Sequence, residues 1–253
     1  MRQFGLIGYP LSHSFSQKFF TEKFLQQNIA NVSYTNFPIP SMESFGALWK
    51  ENPNLEGLNV TIPYKKEVIP FLQHSSAVVQ EIHACNCIRK FNNELYGYNT
   101  DVIGFEKSLL PFLQPHHTHA LILGTGGAAA AVRWVLKKLN IQFQLVSRKT
   151  NTIEANTELK ASLSYDQLPA SVIETHTLII NTSPVGMFPN VHEAPPIAYE
   201  GITAQHHLYD LVYNPIETLF MKKGLEKGAT VQNGLAMLHI QAEESWAIWN
   251  AKI

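Results

Sequence analysis

Cysteine is almost absent from this chain: 253 residues hold two, Cys85 and Cys87, either side of Asn86. A zinc site needs further ligands at fixed spacing, and His83 alone does not complete one. Two small hydrophobes on alternate positions of a short strand describe the pair better. The formal net charge is only −1, so the field of the molecule favours neither nucleic acid nor a membrane surface. No apolar run approaches the length of a membrane span, and Met1 to Gly8 lacks signal-peptide anatomy and reads as a buried strand. The expectation is a cytoplasmic protein with no resident metal. His116-His117-Thr118-His119 reads as a polar connector ahead of the strand that opens at Ala120.

What is present is an apolar fraction of 45%, enough to build one large or two small cores. The most informative stretch is Leu121-Ile122-Leu123-Gly124-Thr125-Gly126-Gly127-Ala128, an apolar strand running into a glycine-rich turn and a helix start. Gly124 permits a tight turn, Gly126 leaves no side chain between backbone and a pyrophosphate, and Gly127-Ala128 lets the helix pack on its strand. A helical pattern from Ala129 to Leu139 and a second strand, Phe143 to Val146, follow. An NAD-preferring site would close that strand with Asp or Glu, whereas Ser147-Arg148-Lys149 stands here. Two cations in that place suit the extra phosphate of NADP. The bland alternative is a βα turn with a solvated basic pair.

Strand-like runs (Phe4 to Ile7, Ser33 to Phe37, Leu58 to Thr61) alternate with helical patterns (Ser16 to Gln27, Pro63 to Leu72). That alternation predicts an α/β layer with a mostly parallel sheet. Cys87 to Phe91 and Glu94 to Tyr98, joined at Asn92-Asn93, read as a hairpin because asparagine tolerates positive φ. Beyond Asp101 comes an amphipathic helix. Leu178 to Asn181 and His207 to Val212 read as further strands, with a helix from about Thr218 to a glycine cap near Gly228. A last helix, Gly234 to about Asn250, carries Leu235, Leu238, Ala242, Trp246 and Trp249 as a stripe. Two α/β lobes result: residues 1–101 with 233–253, and residues 102–232, the last helix returning to the first lobe.

Four segments of the first lobe hold polar residues that a core does not need. They are Pro10 to Gln17, whose Ser14 to Gln17 spacing also fits a capping box, Asn59 to Lys65, Asn86, and Tyr98 to Asp101. Polar groups at strand ends are where α/β folds keep ligands.

Taken together these segments resemble the shikimate dehydrogenases. The resemblance rests on His13-Ser14-Phe15-Ser16, Asn59-Val60-Thr61-Ile62-Pro63-Tyr64-Lys65, Asn86, Asn99-Thr100-Asp101, Gly124 to Ala128, Asn181 to Met187 and Gly234 to Gln241. It implies a substrate-binding lobe followed by a Rossmann-like lobe. It further implies that Ser14, Ser16, Thr61, Lys65, Asn86, Asp101, Tyr213 and Gln241 surround shikimate or 3-dehydroshikimate, with Lys65 and Asp101 as the catalytic pair. NADP would be held by Gly124, Gly126, Gly127, Ala128, Ser147, Arg148, Lys149 and Thr182, with Met187 and Gly234 on the nicotinamide side. The implied protein is a monomer or homodimer acting on small molecules in the route to chorismate.

Reducing a ketone with a nicotinamide turns its oxygen into an alkoxide, and Lys65 suits the task of supplying a proton there, with Asp101 holding it. The chain departs from the family pattern at Gln17, where proline is usual, at Val102, where glycine follows the aspartate, and at His83 and Cys85. A quinate/shikimate dehydrogenase with relaxed cofactor use is the near alternative. A catalytically silent, cofactor-binding regulator is the distant one, and it would be expected to lack Lys65 or Asp101.

Overall fold

The apolar runs and glycine breaks build two units, Met1–Gly104 with His239–Ile253, and Phe105–Leu238. The computed structural model describes residues 1–11, 15–148 and 162–251.

The first unit holds a six-stranded sheet in the order β2-β1-β3-β5-β6-β4. Its strands are β1 (Arg2–Gly8), β2 (Val32–Pro38), β3 (Leu55–Val60), β4 (His74–Ser75), β5 (Cys87–Phe91) and β6 (Glu94–Tyr98). β1 pairs in parallel with β2 and β3, but β3 pairs antiparallel with β5. The sheet is therefore mixed, with three of its five pairings parallel, β4–β6 among them, and two antiparallel. The cause is the β5–β6 hairpin, whose Asn92 and Asn93 take φ of 50° and 64°, the two positive values its tight turn requires. Helices α1 (Phe15–Gln26), α2 (Phe45–Glu51) and α3 (Ala77–Ile82) complete this part.

No helix forms over Pro63–Leu72. Residues 62–68 make turns and a 3₁₀ segment covers Ile69–Phe71. Pro70 has no N–H to give to the Lys66 carbonyl, which takes the Ile69 N–H instead at 3.2 Å.

The chain leaves the hairpin through α4 (Thr100–Leu109) and enters an all-parallel sheet. It comprises β7 (His119–Leu123), β8 (Gln142–Ser147), β9 (Leu163–Ser164), β10 (Leu178–Asn181), β11 (His207–Asp210) and β12 (Thr230–Gln232), in the order β12-β11-β10-β7-β8-β9. Numbered within the unit this is 3-2-1-4-5-6 read from its other edge, the doubly wound arrangement whose order reverses beside the first strand. Helices α5 (Gly127–Lys138), α6 (Ala170–Thr175) and α7 (Leu219–Leu225) belong to it, α7 capped by the Thr218 hydroxyl. The chain ends in α8 (Leu235–Asn250).

The segment of α8 in the first unit fills a ring cluster: Trp249 stacks on Phe4 at 4.6 Å and Phe20 stacks on Tyr34 at 4.6 Å. Among the described residues no helix is long and apolar enough to cross a membrane.

Candidate active site

In the first unit β3 delivers Asn59 to its end, and the turn that follows is pinned from two sides. The buried Tyr64 hydroxyl donates to the Ile39 carbonyl at 2.6 Å, and the Cys85 N–H donates to the Lys65 carbonyl at 2.7 Å. Lys65 so held places its Nζ 2.7 Å from Asp101 Oδ2, with the side chains 22% and 8% exposed. Asp101 lies in the first turn of α4, at the positive end of the helix dipole. Asn99 fixes that turn by accepting from the Val102 N–H at 3.2 Å and donating to the Ala84 carbonyl at 2.9 Å. Val102 is helical and buried, so the branched residue is absorbed into the core after Asp101 without a special backbone.

Asn86 is the hub of the neighbouring network. Its Oδ1 accepts from the Thr100 N–H at 2.7 Å, while its Nδ2 donates to Thr100 Oγ1 at 3.1 Å and to Gln241 Oε1 at 3.4 Å. Asn59 donates to Ser245 Oγ at 2.8 Å and accepts from the Tyr34 hydroxyl at 2.9 Å. Burial raises the Tyr34 phenol, and nearby Ser16, at the start of α1, opposes that rise. Thr61 is half-buried just past β3, its N–H on the Ile7 carbonyl at 2.9 Å. Ser14 lies outside the described residues. Sequence reasoning quoted Thr100 within its motif without giving it a role, and passed over Tyr34 and Ser245. The signal it had for the last was a hydroxyl four residues after Gln241, on a face of α8 that Ala242 and Trp249 bury.

The cysteines beside this network are buried and free. Burial pushes the Cys85 thiol up to about 12 and raises that of Cys87 as well, so neither is a ready nucleophile.

In the second unit β7 ends at Leu123 and is followed by Gly124, which takes φ +115° and donates its N–H to the Val146 carbonyl at 2.8 Å. A Cβ there would sit 2.8 Å from Thr182 Oγ1, which itself donates to the Leu123 carbonyl at 3.0 Å. Helix α5 begins after Gly126 with no side-chain cap, and a Cβ on Gly126 or Gly127 would meet nothing within 4 Å. The exposed glycine pair leaves clear space at the start of α5, where a helix carries its first-turn N–H donors, and Ala128 is partly buried beside it. Those donors and that clearance fit a dinucleotide pyrophosphate.

At the end of β8, Ser147 Oγ lies 3.3 Å from Ser162 Oγ, Arg148 is exposed, and no carboxylate closes the strand. Lys149 lies outside the described residues. Met187 is 44% exposed, whereas Tyr213 is half-buried, its phenol raised by that burial. Gly234 packs directly on the Leu211 carbonyl, leaving no room for a side chain.

Comparison with known proteins gives a consistent result. Residues 6–88 match the family profile described as the shikimate dehydrogenase substrate binding domain. The chain is 36% identical over 263 residues to the shikimate dehydrogenase (NADP(+)) of Halothermothrix orenii, covering 97% of this chain and 89% of that protein. A crystal structure of shikimate 5-dehydrogenase from Thermus thermophilus, in complex with NADP(H) and shikimate, superposes with a TM-score of 0.86. It is 27% identical, with 100% of this chain and 95% of that one covered. Quinate dehydrogenase from Corynebacterium glutamicum in complex with NAD also superposes at 0.86, at 25% identity and 98% and 93% coverage. Backbone likeness alone therefore does not separate the two substrates.

Proposed function

Because the chain belongs to the shikimate dehydrogenase family, we infer that it is an oxidoreductase interconverting shikimate and 3-dehydroshikimate with NADP. The observation that carries the chemistry is the Lys65–Asp101 contact at 2.7 Å, half-enclosed at the polar end of the first sheet. The substrate is assigned to the lobe that contains that pair, read from the sequence as residues 1–101 with 233–253, and the cofactor to the lobe read as residues 102–232.

Bound NADPH supplies a hydride to the ketone carbon. Lys65 presents an ammonium proton to the oxygen as charge develops on it, when the interaction is worth most. Asp101 holds that ammonium and accepts from a substrate hydroxyl. Ser14, Ser16, Thr61, Asn86, Tyr213 and Gln241 complete the substrate's surroundings, and Asn86 and Gln241 are already tied to each other.

For the cofactor, Gly124, Gly126, Gly127 and Ala128 present backbone N–H groups to the pyrophosphate. Ser147, Arg148 and Lys149 take the 2′-phosphate. Thr182 supports the glycine turn, and Met187 and Gly234 border the nicotinamide. The ligands are small molecules, and the working form is a monomer or homodimer.

The test is an initial-rate assay at the reduced-nicotinamide absorbance band, with shikimate or quinate and NADP⁺ or NAD⁺ in all four pairings. Turnover confined to shikimate with NADP⁺ is the expected outcome. Comparable quinate turnover would move the chain to the broader dehydrogenase class. Folded protein that binds NADPH but turns over nothing would contradict the assignment.

A further inference from the structure

The first unit carries a second recess, at the end of its sheet away from Lys65. Strand β5 leaves Asn86 and runs to the Asn92-Asn93 turn, so Lys90 stands roughly 13 Å along the strand from Asn86. There α2, residues 71–73 and the β5–β6 hairpin enclose a groove of about 370 Å³. That is the size of a small-ligand site.

Three rings set edge to face make its apolar wall. Phe45 lies 5.2 Å from Phe71 and 6.1 Å from Trp49, measured between ring centroids. The rim is tied in place. Gln73 donates its N–H to the Leu95 carbonyl at 3.1 Å, and its side-chain oxygen accepts from the Leu95 N–H at 2.8 Å. Gly46 keeps the α2 side open, since a Cβ there would meet nothing within 4 Å.

Lys50 and Lys90 line the same groove, and no carboxylate does. The hairpin's own acid, Glu94, is engaged by His74 at 3.0 Å. Among the described residues neither lysine is paired with an acid, and the Lys90 ammonium lies over the Trp49 ring at 5.6 Å instead. Aromatic walls favour a planar ring, and ammonium groups without carboxylates favour an anion.

We propose that this groove binds a small aromatic carboxylate, its ring against Phe45, Trp49 and Phe71 and its carboxylate against Lys50 and Lys90. The groove shares no residue with the substrate and cofactor groups named above.

The test is a titration of isotope-labelled protein with hydrocinnamate, followed through the indole N–H signals of its four tryptophans in a proton–nitrogen correlation spectrum. Trp49 is the one tryptophan that lines the groove, and its signal is assigned by its loss in Trp49→Phe. That signal should shift saturably, with a Kd below about 1 mM, and saturating shikimate should leave the titration unchanged. Hydrocinnamyl alcohol keeps the ring without the charge, and hexanoate keeps the charge without the ring. Each should bind at least about fivefold more weakly, and Lys90→Gln should weaken hydrocinnamate by about the same factor. Gly46→Leu places a good helix former in α2 with its side chain in open space, so it should keep the wild-type thermal midpoint while abolishing the shift.

An unmoved Trp49 signal would overturn the inference. So would equal affinity for the alcohol or for hexanoate, or a shift that survives Gly46→Leu in a folded variant. A titration abolished by shikimate would place the probe in the substrate site and overturn it as well.

Discussion

His207 and Asp210 sit three residues apart on β11, both fully buried, and acid acts on them in opposite directions. The His207 ring stacks on Phe112 at 5.0 Å with Nδ1 2.8 Å from Thr230 Oγ1, and burial pushes its pKa from 6.5 down to about 4. The folded imidazole stays neutral where the unfolded one takes a proton. Its contribution to stability is therefore intact above pH 6.5 and lost as the pH falls from there toward 4. A shift of that size corresponds to about 3 kcal/mol.

Burial raises the Asp210 carboxyl from 3.8 to about 6, opposed by hydrogen bonds from Thr218, Val212 and Asn181. Between those values the folded state holds the proton that the unfolded state releases, so stability falls as pH rises through the window, again by about 3 kcal/mol. The two effects largely cancel in the wild type. His207→Phe keeps the stack on Phe112, and Thr230 Oγ1 retains the His206 carbonyl at 3.3 Å. Other groups titrate in both proteins, so the difference between them isolates His207. Urea unfolding followed by circular dichroism should show the variant gaining about 3 kcal/mol relative to wild type between about pH 7 and pH 4. A stability difference that does not change with pH would refute the reasoning.

Gly126→Val adds a side chain where nothing lies within 4 Å, so its thermal midpoint should stay close to wild type while the Kd for NADP⁺ rises at least about tenfold. Unchanged binding by calorimetry would remove the α5 N-terminus as the pyrophosphate site. Arg148→Ala should weaken NADPH about tenfold or more and spare NADH, since only the former carries the phosphate that a guanidinium grips. Equal losses for both cofactors, measured by fluorescence titration, would contradict the assignment of Arg148.

The local signals that were legible in the sequence are the ones that leave the chain little choice. Tandem Asn92-Asn93 between alternating strands has one good solution, and the hairpin spans Cys87–Phe91 and Glu94–Tyr98 as read from the sequence. The apolar run to Leu123 followed by Gly124 and Gly126 likewise marks a strand, a turn and a helix start.

Elsewhere local pattern and tertiary context diverge. The apolar spacing of Pro63–Leu72 looks helical, but Pro70 removes the hydrogen bond a helix would need. The His207 strand ends at Asp210 rather than Val212, because the Asp210 carboxylate draws the Val212 N–H to itself at 3.0 Å. Lys65 and Asp101 were readable because their motifs carry them. Tyr34 and Ser245 were not, because a tyrosine in a buried strand and a serine on a helix face read as core until their partners are seen.

The most direct measurement is the turnover of Lys65→Met with shikimate and NADP⁺, alongside its affinity for each. If Lys65 supplies the proton at the reacting oxygen, kcat falls by a factor of about 10² or more while both ligands bind nearly as before. A variant that keeps most of its turnover would show that the Lys65–Asp101 pair is not where the ketone is reduced.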